Sequence, residues 1–398
     1  MSFCRFLRPS GFALICVLPL WLPAHAAPFV PATDGQVLAT VPARASDPRA
    51  REMAGLRSAW RADPQNLAGA LLLAQRYFDE VAAVGDPRYI GYAQQALQPW
   101  WDQPSPPPAV RVLRAKILQF DHRFVAALAD LDAALQAEPD NADAWAWRTA
   151  IHMVRADYGQ ARRGCDRLAA LAPALIAAAC TAQVDAATGQ AANAAQALRA
   201  ALEQPATPEE RLWSLTRLAE TEERRGEMAA AEAAFRQALA LGLPDVYLQA
   251  AYADFLLDRG RATEVLALLK DGPTSTRADV LLLRLALAAQ ATRQADAPRW
   301  AGELAARFEA ARRRGDTSHR KEESRYVLAL RGDAGRALQL AQLNWAEQRE
   351  PADARILLEA ALAAKDIAAA QPVFDLMQRS GIQSPAVRGL SQQFKGSR

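Results

Sequence analysis

Between Val112 and Pro173 the chain repeats itself with a fixed step. Phe124 and Tyr158 stand 34 residues apart, as do Ala127 and Ala161, Leu131 and Cys165, and Pro139 and Pro173. Each unit holds two apolar runs at helical spacing with a short polar break between them, so each reads as a helix hairpin. One hairpin cannot bury its apolar face alone. A fixed period of this size therefore marks a stacked array in which each unit covers the next. No strand pattern competes, because alternation never persists and β-branched residues are few.

The register resembles the tetratricopeptide repeat family. Trp145 opens a unit where that family often has Trp. The small residues Ala115, Ala127, Ala134 and Ala161 fall where its helices touch most closely. Later units keep parts of the pattern, with turns at Gly189-Gln190, Gly226-Glu227, Gly260-Arg261 and Gly332-Asp333, and Gly226 and Gly260 are again 34 apart. The resemblance covers roughly 67–380 and is strongest in 109–173; it is faintest around 275–316, where 278–314 is amphipathic but has no turn register. It implies an all-α, right-handed superhelical solenoid of antiparallel helix hairpins.

The expected organisation is a signal peptide at 1–26, an extended segment at 27–46, an irregular cap and hairpin at 47–108, the repeat array at 109–380, and a polar tail at 381–398 with room for one short helix. In the irregular hairpin, the link 81–90 is longer than the repeat allows. Pro104 to Pro108 reads as a stiff, extended joint. At the start, Arg5 and Arg8 precede an apolar run, GFALICVLPLWL, and Ala24-His25-Ala26 forms an A-x-A cleavage site. The run is shorter than the ~20 residues a bilayer span needs. The expected location is periplasmic or secreted, with cleavage after Ala26 and no membrane span thereafter.

Loss of the leader removes Cys4 and Cys16 and leaves Cys165 and Cys180. Two cysteines in an oxidising compartment are a natural disulfide pair. The repeat register places them on neighbouring helices, the second of one hairpin and the first of the next. The alternative is two buried free thiols, since Cys also packs well between Ala-rich helices. The formal charge of +3 falls to +1 without Arg5 and Arg8, too little to argue for nucleic acid or an anionic membrane.

Catalytic and cofactor motifs are missing. There is no G-x-S-x-G, no phosphate-binding glycine loop and no H-E-x-x-H. His319 and Glu323 lie one helical turn apart and could share a metal, but a solvated ion pair beside Arg320 and Lys321 is the better reading. No cofactor, metal site or enzymatic activity is expected. The mixed charge of 217–227 and 311–325 reads first as solvated helix faces, with a polar docking surface as the alternative.

What remains is the surface of the array. In the family it resembles, the first helix of each hairpin lines the concave side, where peptides and partner helices bind. Carried onto this chain, the groove positions are Lys116, Phe120, Trp147, Met153, Arg217, Glu220, Tyr247, Asp254 and Tyr326. Phe120, Trp147 and Met153 serve equally well as packing between repeats. The expected role is an exported scaffold that binds another envelope protein or a peptide. The alternative is a structural or assembly factor for envelope or polysaccharide machinery.

Overall fold

The computed structural model describes residues 48–270 and 278–396. The leader and the extended segment expected at 27–46 lie outside the described residues. The chain divides at Arg51, and the architecture below is that of the unit Glu52–Arg398.

Helix α1 (Pro48–Ala62) precedes nine hairpins. The first pairs α2 (Leu67–Val84) with α3 (Arg88–Ala96), followed by the single turn α4 (Gln98–Trp101). Then come α5 (Pro108–Phe120) with α6 (Phe124–Ala137), and α7 (Ala142–Val154) with α8 (Tyr158–Leu171). The middle of the array holds α9 (Ala174–Ala187) with α10 (Ala191–Leu202), and α11 (Pro208–Arg225) with α12 (Met228–Ala240). Next are α13 (Val246–Leu257) with α14 (Ala262–Leu269), and α15 (Asp279–Ala291) with α16 (Ala297–Arg313). The last two join α17 (Arg320–Tyr326) to α18 (Ala334–Glu347) and α19 (Pro351–Ala363) to α20 (Gln371–Ser380). Helix α21 (Pro385–Gly396) ends the described chain, and no strand occurs among the described residues.

Every hairpin turns through one residue in the left-handed region. These are Gly85, His122, Ala156, Gly189, Gly226, Gly260, Arg293, Gly332 and Lys365. Glycine suits such a site because it has no Cβ to clash, yet four of the nine are not glycine. This is why 278–314 showed no turn register in the sequence. Its hairpin is regular, but Arg293 stands at the turn. The first hairpin is regular too. Helix α2 runs to Val84 and α3 begins at Arg88, so the link expected over 81–90 shrinks to three residues.

Side-chain caps start some of the helices. Asn141 accepts from the Ala144 amide at 2.9 Å, and Thr207 and Glu210 form a reciprocal capping box. Between the helices the packing is close because the contact residues are small. Ala127, Ala161, Ala231 and Ala337 are fully buried. In the polar tail expected at 381–398, helix α21 takes up most of the length. Val387 and Phe394 are buried, and α21 packs on α19 and α11. Its apolar residues recur at helical spacing, so the helix has a face to bury.

The array winds back on itself. Helix α2 packs against α13, and Gly85 sits so close to the next winding that a Cβ there would lie 2.4 Å from the Ala278 Cβ. The Arg349 amide donates to the Val154 carbonyl at 2.8 Å, and the Gln348 amide lies within 3.0 Å of the His122 ring. Further on, the Ala191 amide donates to Gln383 Oε1 at 3.4 Å. These contacts join residues as many as 226 positions apart and enclose a lumen.

Candidate functional site

The lumen has a volume of about 920 Å³ and is lined mainly by the first helices of the hairpins. Its two walls differ in chemistry. Phe78 on α2, Phe120 on α5, Trp147 and Met153 on α7, and Tyr158 on α8 make an apolar wall. Phe78 and Trp147 meet edge to face with ring centres 5.3 Å apart. The other wall is ionic and comes from α11, α13, α15, α17 and α19.

On α11, Arg217, Glu220, Glu223 and Arg224 fall on one face because they are spaced by three, three and one. Arg217 pairs with Glu220 at 2.9 Å, lies 4.6 Å over the Tyr247 ring, and donates to the Tyr247 hydroxyl at 3.3 Å. The Tyr247 hydroxyl in turn donates to Glu220. Tyr247 is 49% exposed, but that surface lines the lumen. Burial pushes its phenol well above the usual range, against the pull of Arg217.

Asp254 on α13 is the hub. Arg284 from α15 grips it with Nε at 3.1 Å and Nη2 at 2.6 Å, and Arg325 from α17 reaches it at 2.6 Å. Burial disfavours the charged form of Asp254, but the two guanidiniums outweigh it and hold the carboxyl well below the usual range. At the C-terminal cap of α13, Asp258 accepts from Arg355 of α19 at 2.8 Å. Lys321 is partly buried as well. Desolvation works against its charge, and Asp353, Glu322 and Glu350 more than compensate, so its ammonium titrates above the ordinary range.

Seven of the nine groove residues expected from the sequence line this lumen: Phe120, Trp147, Met153, Arg217, Glu220, Tyr247 and Asp254. Lys116 and Tyr326 do not. Lys116 is buried and spent on Gln75 at 2.9 Å and Asp143 at 2.6 Å, with Trp147 beside it. Tyr326 is buried against Phe308 with ring centres 5.4 Å apart. Sequence reasoning missed Phe78, Glu223, Asp258, Arg284, Lys321 and Arg325. Parts of both mixed-charge runs, first read as solvated faces, turn inward, and the one-turn spacing of Lys321 to Arg325 was the available signal. His319 and Glu323 do not share a site. His319 lies 3.5 Å from Asp316, and Glu323 pairs with Arg312 and Arg336.

Cys165 on α8 and Cys180 on α9 are joined by a disulfide that ties consecutive hairpins beside Trp145 and Met153. Of the two readings left open by the sequence, the structure has the bridge. No helix among the described residues is long and apolar enough to cross a membrane, and no group of three potential ligands could hold a metal ion there.

The hairpins, their left-handed turns and their small-residue contacts define an all-helical solenoid of tetratricopeptide-like units. No protein-family model matches the chain, and no curated protein does. Among solved structures it is similar to the APC/C hetero-tetramer Cut9-Hcn1, at 14% identity and a TM-score of 0.39 over 78% of this chain and 52% of that one. It is similar to a human IFIT1 dimer with PPP-AAAA, at 13% identity and a TM-score of 0.43 over 84% and 87% of the two chains. A third likeness is to the TPR domain of P58(IPK), at 14% identity and a TM-score of 0.21 over 81% and 95%. The chain spans about half the length of the Cut9-Hcn1 chain it matches. At these scores none of the likenesses carries weight, and the class rests on the hairpins themselves.

Proposed function

We propose that this chain is an exported scaffold whose lumen holds a segment of another envelope protein or a peptide. The observation that supports this reading is the convergence of seven groove residues, drawn from α5, α7, α11 and α13, on one cavity of about 920 Å³. That is near the upper end of the ~300–1,000 Å³ typical of ligand pockets, and it combines apolar anchors with fixed polar groups. Trp, Tyr and Arg, the residues that most often dominate binding energy, are all present. Export is supported by the leader pattern of the first 26 residues and by the Cys165–Cys180 bridge, which persists in an oxidising compartment.

The test places a photo-crosslinking side chain at Phe120 or Tyr247 in the exported protein, with Val125 as the control. Val125 is 75% exposed on α6 and lies outside the lumen. The expected result is one defined envelope polypeptide attached from the lumen positions and absent from Val125. Equal adducts from all three sites, or none from the lumen, would defeat the binding role. Recovery of the protein only from the cytoplasm, with both thiols free, would defeat the location.

A further inference from the structure

The ionic wall is not evenly neutralised. Four of the carboxylates that line the lumen are Glu220 and Glu223 on α11, Asp254 on α13 and Asp258 at the C-terminal cap of α13. Three have a close guanidinium, with Arg217 at 2.9 Å from Glu220, Arg284 at 2.6 Å from Asp254, and Arg355 at 2.8 Å from Asp258. Glu223 has only Arg259, at 3.7 Å. Arg259 is engaged elsewhere: its Nη1 donates to the Phe255 carbonyl at 2.6 Å, and its guanidinium lies 3.5 Å from the centre of the Phe255 ring. The side chain of Glu223 therefore has no hydrogen-bond donor among the described residues, while two-thirds of it is withdrawn from solvent. A carboxylate in this position favours a donor that carries positive charge.

We infer that the segment held in the lumen carries a basic side chain next to an aromatic or long apolar one. The basic group donates to Glu223, and the apolar group inserts against Trp147, Phe120 and Met153. This rests on the lumen-binding reading above and adds the chemistry of the occupant. The groups facing Glu223 agree with it. Asp254 on α13, Asp258 at its C-terminal cap and Glu220 on its own helix add negative potential, and Arg259 is the guanidinium that opposes them. Arg224, its neighbour in sequence, also lines a second cleft with Pro385 and Arg388. Burial pushes the Glu223 carboxyl up to about 7, with those three carboxylates adding to the rise and Arg259 opposing it. An acidic side chain placed at Glu223 would meet a carboxylate that has no donor of its own and be repelled.

The experiment uses the purified full chain and three fluorescent peptides of equal length. Their central pairs are Phe-Lys, Phe-Glu and Ser-Lys, and binding is read by anisotropy. Phe-Lys is expected to bind about tenfold or more tightly than either of the others, the effect of one charge-assisted bond or one buried ring. Glu223→Gln should abolish the preference for Lys over Glu and keep the preference for Phe over Ser. Trp147→Ala should do the reverse. Helical circular dichroism confirms that both variants are folded. The inference is overturned if Phe-Glu binds as tightly as Phe-Lys, or if Glu223→Gln leaves the discrimination intact. If no peptide binds but Phe120 and Tyr247 still crosslink to a partner, the inference fails and the scaffold reading stands. If both fail, both are wrong.

Discussion

At the scale of single residues, the ionic wall is a set of dependencies between charges that the fold has already taken out of water. Asp254 neutralises Arg284, which is 8% exposed, and Arg325. Removing one partner of a buried pair leaves the other charge uncompensated, at about 3–5 kcal/mol for full burial. The side chain of Asp254 is 28% exposed, so Asp254→Asn should cost less, about 2–3 kcal/mol, measured by urea unfolding. Glu223 behaves in the opposite sense. Its carboxyl titrates at about 7 in the folded chain against an ordinary 4.5, so the folded form keeps a proton that the unfolded form has released. Its contribution to stability is complete below pH 4.5 and is lost as pH rises through 7. Glu223→Gln should therefore raise the melting temperature at pH 8 and leave it nearly unchanged at pH 4.5. A larger gain in acid than at pH 8 would contradict the assignment. Little of this was visible in the sequence. Arg217, Glu220 and Asp254 could be placed on groove helices, but which acid lacks a partner depends on Arg259 choosing the Phe255 carbonyl.

At the scale of helices and hairpins, the sequence was far more informative. Contacts between neighbouring units follow a local rule, small residues at close approach, and such rules repeat along the chain. The failures have a common cause. The array needs a backbone conformation at each turn, and Ala156 or Arg293 can supply it at a cost, so the glycine signal disappears while the turn remains. The helix at 385–396 was legible only as a short helix within a polar end, because its apolar stripe is thin and its polar residues are many. Close approach can also be tested directly. A Cβ added to Gly164 on α8 would lie 1.9 Å from the Thr149 hydroxyl of α7, which donates to the Trp145 carbonyl at 2.7 Å. Alanine is favoured over glycine within a helix by about 1 kcal/mol, but overpacking costs about 1–3 kcal/mol, so the clash should win. Gly164→Ala is expected to lower stability, and Thr149→Ala in the same chain should recover most of the loss. If the double variant is no better than the single one, the contact is not the cause.

At the scale of the whole unit, the contacts between windings matter most, and no period reveals them. His122 and Gln348 are 226 residues apart, and nothing in either neighbourhood names the other. Two glycines isolate the strength of this closure. Gly226 and Gly85 both have positive φ, but a Cβ at Gly226 meets open space, whereas one at Gly85 strikes Ala278 and Val246 across the windings. Gly226→Ala should cost only the left-handed penalty of about 1–2 kcal/mol. Gly85→Ala should cost that plus about 1–3 kcal/mol of overpacking, together with a larger radius of gyration by X-ray scattering. Equal costs and unchanged scattering would mean that the windings do not hold each other. A simple solenoid can gain or lose a unit because only the two adjacent units are affected. Here Val154 must find Arg349 and Ala191 must find Gln383 several units later. Inserting or deleting one hairpin between them would put every later partner out of phase. Duplication and loss, the usual way repeat arrays change length, are closed to this molecule, and its number of units is as fixed as the number of teeth on a gear.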